Sequence, residues 1–286
     1  MRERAPLKVR LKRGWMEAST SWGVLLKHRG LLVLPFTSFV LGSAGWIGGY
    51  LLAGVWVERT MPRLALTSFI VLVPATMLGT FLSAAFLAAL SRRLESEPAS
   101  VADGLRVAWR RRGPIAAWAL LAAGFGALLQ ALQQFKSEWA LAPVISALAG
   151  VAWGVLTVFV LPVLALEDLG VRDTIRRAAG IVRDRWGESV AGLGNLTLVN
   201  VVVMLPLALA LGVAAGVAAP DRDAVTAIFV VGFVAFMLLV SAIGTAGQVL
   251  SLALYRHATG RPARPFTESE LEQALVPRRT FWRRRG

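Results

Sequence analysis

The chain has no cysteine and only two histidines, His28 and His257, in 286 residues. Disulfides, thiolate metal sites and cysteine nucleophiles are therefore excluded. Little material remains for a transition-metal centre or a histidine-based triad. Acidic residues are also scarce, with 17 Asp and Glu against 31 Lys and Arg. No carboxylate or histidine stands in the central part of any long apolar run. Ion-coupled and proton-coupled carriers ordinarily need such groups, because an intramembrane charge is costly unless used. A proton pump is thus disfavoured. No cofactor is expected, and the chain does not read as an enzyme.

What is abundant is apolar. Hydrophobic residues make up 56% of the chain and its mean hydropathy is +0.62, above the roughly 45–50% apolar content of soluble domains. A helix needs about 20 mostly apolar residues to cross the hydrocarbon core. Six windows qualify: 31–57, 65–90, 114–132, 141–166, 193–219 and 225–254. The expected fold is all-α, an integral membrane bundle of six transmembrane helices with short amphipathic helices between them. The first run is too long for a signal-peptide core and reads as a retained span.

The net charge of +14 is unevenly placed. Segments 1–30, 91–113, 167–192 and the tail from 255 hold eight, six, five and eight Lys and Arg. The alternate loops 58–64, 133–140 and 220–224 hold two, one and one, offset by Glu58, Glu138, Asp221 and Asp223. The positive-inside rule then puts both termini in the cytoplasm. It divides the chain into a basic N-terminal segment (1–30), a six-span domain (31–254) and a basic C-terminal tail (255–286). Excess positive charge on that face attracts anionic lipid headgroups. Topology accounts for the basic balance, so no nucleic-acid partner is expected. Trp56 and Trp139 near outer helix ends, and Trp118 and Tyr255 near inner ends, suit aromatic belts at the interface.

Asp103-Gly-Leu-Arg106-Val-Ala108 matches Asp173-Thr-Ile-Arg176-Arg-Ala178. Each precedes a pair of apolar runs, and an apolar-basic stretch precedes the first pair. The expected architecture is three copies of one unit, a short amphipathic helix followed by a membrane hairpin. In the third copy, Val171, Ile175, Ala178 and Val182 recur with helical spacing as one apolar stripe. Arg172, Arg176 and Arg183 fall on a neighbouring face. With Arg177, Arg185 and the terminal Trp186, they form the candidate contact for anionic lipid or for a protein partner of unknown identity. At four-residue spacing Asp173 is expected to pair with Arg177, and Asp168 with Arg172.

Glu167 and Asp168 stand where the fourth run ends. An acid–base pair needs a pocket and a perturbed pKa, and the sequence shows neither. The expected role of this pair is interfacial and structural. Within the runs, Gly45/Gly49, Gly150/Gly154 and Gly212/Gly216 suit close helix packing inside the bundle. Pro35, Pro74, Pro143, Pro162 and Pro206 mark positions that can kink a helix. Gln130, Asn195, Asn200 and Gln248 are the main polar residues there. In the tail, Thr267 to Glu270 fits a capping box before Leu271, and Arg278 to Arg285 forms a basic run with Phe281 and Trp282.

Several stretches carry a family likeness: TSWGVLLKHRGLLVLPFTS (20–38), WALLAAGFGALLQALQ (118–133), AWGVLTVFVLPVLALEDLGVRDTIRRAAGIVRDRWGE (152–188) and LYRHATGRPARPFTESELEQAL (254–275). Over roughly 15–275 the chain resembles a bacterial family of multi-pass membrane proteins known as a domain of unknown function. The resemblance implies an all-helical six-span fold in the bacterial cytoplasmic membrane, with no assigned substrate, cofactor or catalytic residue. Three functions compete on this reading. The first is a non-enzymatic organiser of lipids or partners through a basic cytoplasmic face. The second is a transporter, permease or lipid flippase. The third is a membrane enzyme using Glu167 or Asp168.

Overall fold

The structure is a computed structural model that describes residues 19–56, 61–134, 142–186, 222–262 and 266. Among these residues there are helices and turns and no strand. We number the helices α1 (Ser19–Lys27), α2 (Val33–Trp56), α3 (Met61–Leu94), α4 (Val101–Arg110), α5 (Arg112–Gln134), α6 (Ala142–Leu166), α7 (Val171–Trp186) and α8 (Arg222–Ala258). A 3-10 turn, Arg29–Leu32, precedes α2.

Five of the six apolar runs coincide with helices α2, α3, α5, α6 and α8. The sixth, 193–219, lies outside the described residues. Among the described residues, three stretches are long and apolar enough to cross a membrane: Val73–Leu94, Arg112–Leu129 and Val234–Ala258. A fourth is added if Ser19–Lys27 and Arg29–Gly45 form one broken span. Part of α6, Ala152–Leu166, is apolar but shorter than a span. Four of the five marked prolines fall within the described helices, and Pro206 lies outside the described residues. Pro35 and Pro143 occupy the first turns of α2 and α6, where a backbone donor has no intrahelical partner. Pro74 and Pro162 lie inside α3 and α6.

The chain divides into two compact units. The described part of the first comprises α1, Trp186, α8 to His257, and residues 261, 262 and 266. At its C-terminal end α8 is buried from Val249 to Arg256. Gly260, with φ of +72°, ends it in the left-handed conformation that glycine adopts freely. The Arg261 N–H then donates to the Arg256 carbonyl at 2.8 Å. Arg256, 2% exposed, donates Nε to the Pro262 carbonyl at 2.7 Å and so ties the exiting chain back to the helix.

The second unit holds residues 28–185 and 258–260. Here α3 packs against α2, α4, α5 and α6, and α5 packs against α6. Every position from Ala84 to Ser91 of α3 is buried. Between α5 and α6, Trp153 stacks on Trp118 at 5.1 Å and on Phe125 at 4.1 Å. Trp118 is therefore core rather than belt, and Tyr255 is also buried, at 2% and 1% exposure. Both depart from the expected interfacial role, because each ring finds a protein partner or cover before it meets solvent or lipid. Three of the paired glycines depart as well, while Gly212 and Gly216 and the surroundings of Gly49 fall outside the described residues. A Cβ built on Gly45, Gly150 or Gly154 meets nothing within 4 Å, so these residues do not mark helix crossings. The close approach is made by Gly104, where a Cβ would collide with the Ala85 carbonyl oxygen and crowd Ala89.

The α3–α4 turn follows from local chemistry. Ser96, with φ of +64°, closes α3: its N–H donates to Arg93 and the Glu97 N–H to Arg92. This is the Schellman pattern, and Pro98 stops the helix just beyond it. Arg93 Nε donates to the Ala99 carbonyl at 2.7 Å. Ser100 then caps α4 in a capping box with Asp103. Helix α4 runs back along α3, bringing Gly104 to Ala85 and the Trp109 ring edge-on to Phe81 at 6.4 Å.

Candidate basic interface

The exit from α6 is organised by one arginine. Arg111, between α4 and α5, donates Nη1 to the carbonyls of Glu167 at 2.7 Å and Leu164 at 3.2 Å, and Nη2 to Leu166 at 3.4 Å. The last carbonyls of a helix lack intrahelical donors and carry its negative dipole end, so a guanidinium there is doubly favoured. Glu167 is held at both ends. Its carbonyl faces Arg111, and its carboxylate meets Arg177 Nε at 3.3 Å. Asp168 is exposed and makes no ion pair among the described residues.

Two expected pairs are corrected here. Asp173 meets Arg176 at 3.4 Å, three residues on, rather than Arg177. Arg177 is drawn to Glu167 across the α6–α7 turn, a partner that helical spacing alone cannot reveal. Asp168 is not paired with Arg172. The buried face of α7 is also shifted from the expected stripe. Thr174, Ala178 and Ile181 are buried, while Val171, Ile175 and Val182 are half-buried beside them. The Thr174 hydroxyl is enclosed without a hydrogen-bond partner.

Arg172, Arg176, Arg177 and Arg183 are exposed, as a solvated or lipid-facing surface requires. Arg185 and Trp186 lie in the last turn of α7, and their side chains fall outside the described residues. The capping box at Thr267 to Glu270 and the basic run from Arg278 also fall outside them.

The two D-x-[LI]-R-x-A motifs occupy matching places. Asp103 and Asp173 are each the third residue of a helix, and each pairs with the arginine three residues on. The following residues, Gly104 and Thr174, are buried, as are Ala108 and Ala178. The Gly104 and Thr174 N–H groups donate to the carbonyls of Ser100 and Gly170. The hairpin after α7 begins in 193–219, so the three-copy repeat cannot be traced through the described residues.

Asp103 has the most ordered surroundings. The Ser100 hydroxyl donates to it at 2.7 Å, the Ser100 N–H at 2.9 Å, and Arg106 at 3.0 Å. The Ser100 hydrogen bonds, reinforced by the charges of Arg106 and Arg92, hold its carboxyl below the ordinary carboxylate range.

A second basic surface was missed in the sequence reading. Arg106, Trp109, Arg110 and Arg112 are all exposed, and Trp109 is 62% exposed. The Arg112 guanidinium lies 5.4 Å from the Trp109 ring centre and donates to the Trp109 carbonyl. The signal was the run Trp109-Arg-Arg-Arg112, with the capping pair Ser100 and Asp103 before it. What hid it was Arg111, which belongs to the α6 end while its two neighbours face outward.

Residues 64–263 match the model of a family described as "Family of unknown function (DUF6159)", and the chain belongs to that family. No curated protein matches the chain. The matched segment spans α3 to α8 and contains both motifs.

Proposed function

Membership in that family brings no activity with it, so we propose a function from the surface chemistry: a multi-pass membrane protein, non-enzymatic, that organises anionic lipids or a protein partner through a basic cytoplasmic face. On this reading the bilayer is the bacterial cytoplasmic membrane, six helices cross it, and both termini lie inside. One observation carries the reading. The arginines of the connecting segments 95–111 and 167–186 whose side chains are described, apart from Arg111, are exposed rather than folded into a catalytic pocket. Glu167 supports it by serving as a structural joint, because its carbonyl and carboxylate are both engaged by arginines.

The test is purification from native membranes in mild detergent, with mass spectrometry of both proteins and lipids. A stoichiometric protein partner, or enriched anionic lipid, that is lost on charge reversal of Arg172, Arg176 and Arg183 supports the organising role. A retained small molecule indifferent to those changes counts against it and supports the alternative, a transporter, permease or lipid flippase. Vesicle transport assays would then follow.

A further inference from the structure

Helix α3 has 34 residues, about 51 Å at 1.5 Å per residue, whereas the hydrocarbon core is about 30 Å thick. A good part of α3 therefore stands outside the hydrocarbon. The exposed side chains show which part. Among the described side chains, exposed apolar contact along α3 ends with Met77, and on α5 it comprises Leu120, Leu121 and Leu128. On α2, antiparallel to α3 with Ser38 opposite Gly79, exposed apolar residues run from Leu41 to Phe36, at the level of Phe81, and end about one turn further on with Val33.

From Leu82 to Ser91, by contrast, α3 is covered by protein, and part of that cover is α4. The outer face of α4 carries the exposed Arg106 and Arg110. Exposed guanidinium groups are excluded from hydrocarbon but suit the headgroup layer. The level at which Trp109 meets Phe81 thus lies within about one helical turn of the boundary, and α5 enters the apolar layer directly after it, at Arg112. An exposed indole flanked by arginines is the side-chain set that seats at such a boundary, its ring toward the acyl chains and its charges among the phosphates.

We propose that the exposed face of the α4–α5 junction, Arg106, Trp109, Arg110 and Arg112, is a docking surface for anionic phospholipid headgroups of the surrounding bilayer. This rests on the proposed membrane-organising function and locates it on α4 rather than α7. Charge complementarity selects the occupant. Arg106 and Arg112 are braced by Asp103 and by the Trp109 ring, so both guanidinium groups are pre-positioned. Asp103 is the single carboxylate within α4, so the local field stays positive.

The experiment uses the full chain reconstituted in phosphatidylcholine vesicles. Electron spin resonance compares spin-labelled phosphatidylglycerol with spin-labelled phosphatidylcholine at the protein surface. The intact protein is expected to select phosphatidylglycerol. Replacing Arg106, Arg110 and Arg112 by Gln should lower that selectivity by at least about threefold, since each surface arginine contributes severalfold to anionic-lipid attraction. Replacing all three by Lys should retain it. Helical content and thermal midpoint should stay unchanged in both variants.

Full selectivity in the Gln variant overturns the inference. If selectivity is instead lost on Gln replacement of Arg172, Arg176 and Arg183, the inference fails while the organising function stands, carried by α7. No selectivity in the intact protein overturns the lipid form of both.

Discussion

Arg111 and Glu167, 56 residues apart in sequence, are joined by a 2.7 Å hydrogen bond from guanidinium to backbone carbonyl. The bond fixes the end of α6 to the break between α4 and α5. Arg111→Ala leaves three part-buried carbonyls without this donor. The expected loss is about 1.5–3 kcal/mol, the range for hydrogen bonds to charged groups. Arg111→Lys should lose less, because it keeps a cation at the helix end but not the planar fork. Thermal unfolding in detergent, with Arg110→Ala as an exposed control near zero, checks both.

Gly104→Ala should be strongly destabilising, because the new methyl group would strike the Ala85 carbonyl oxygen on the backbone of α3, which cannot move aside as a side chain can. Gly180→Ala, inside α7 with nothing within 4 Å of the added carbon, should stabilise by about 0.5–1 kcal/mol from helix propensity alone. Opposite signs for the same chemical change, read from detergent melting curves, would confirm the difference in surroundings. Equal signs would contradict it.

Ser96 holds a left-handed conformation that costs a non-glycine residue roughly 1–2 kcal/mol and is exposed, with φ of +64°. Ser96→Gly should therefore raise stability by about 1 kcal/mol. A drop would mean that the Ser96 side chain makes a contribution larger than the strain.

Glu167→Gln should change stability by less than about 1 kcal/mol, because the pair with Arg177 is partly solvated, with 22% and 49% of the two side chains exposed. The difference should shrink near 1 M salt, where the screening length is about 3 Å. A salt-independent loss of several kcal/mol would point to a buried role for this carboxylate.

The long apolar runs were readable as helices almost to the residue: 141–166 against Ala142–Leu166, and 31–57 against Val33–Trp56. Their length and lack of charge leave few alternatives. The exposed arginines of α7 were also legible, since charge and helical spacing are both local. What escaped was whatever depends on a second element. The buried stripe of α7 includes Thr174, a polar residue that periodicity counts against burial. Arg177 chose Glu167 over Asp173 because the α6–α7 turn brings that carboxylate nearer. Trp118 reads as an interface residue until Trp153 is found stacked on it. In Arg110-Arg-Arg112 three identical letters hide one structural arginine between two surface ones.

The unbroken burial of Ala84 through Ser91 has a consequence for how this part of the gene tolerates change. An ordinary amphipathic helix accepts variants with a rhythm of three or four codons, strict on one side and lax on the other. Over these eight positions that rhythm should disappear, leaving a uniformly intolerant block. It should return between Val73 and Ser83, where burial varies from the exposed Pro74 and Met77 to the buried Thr80 and Leu82.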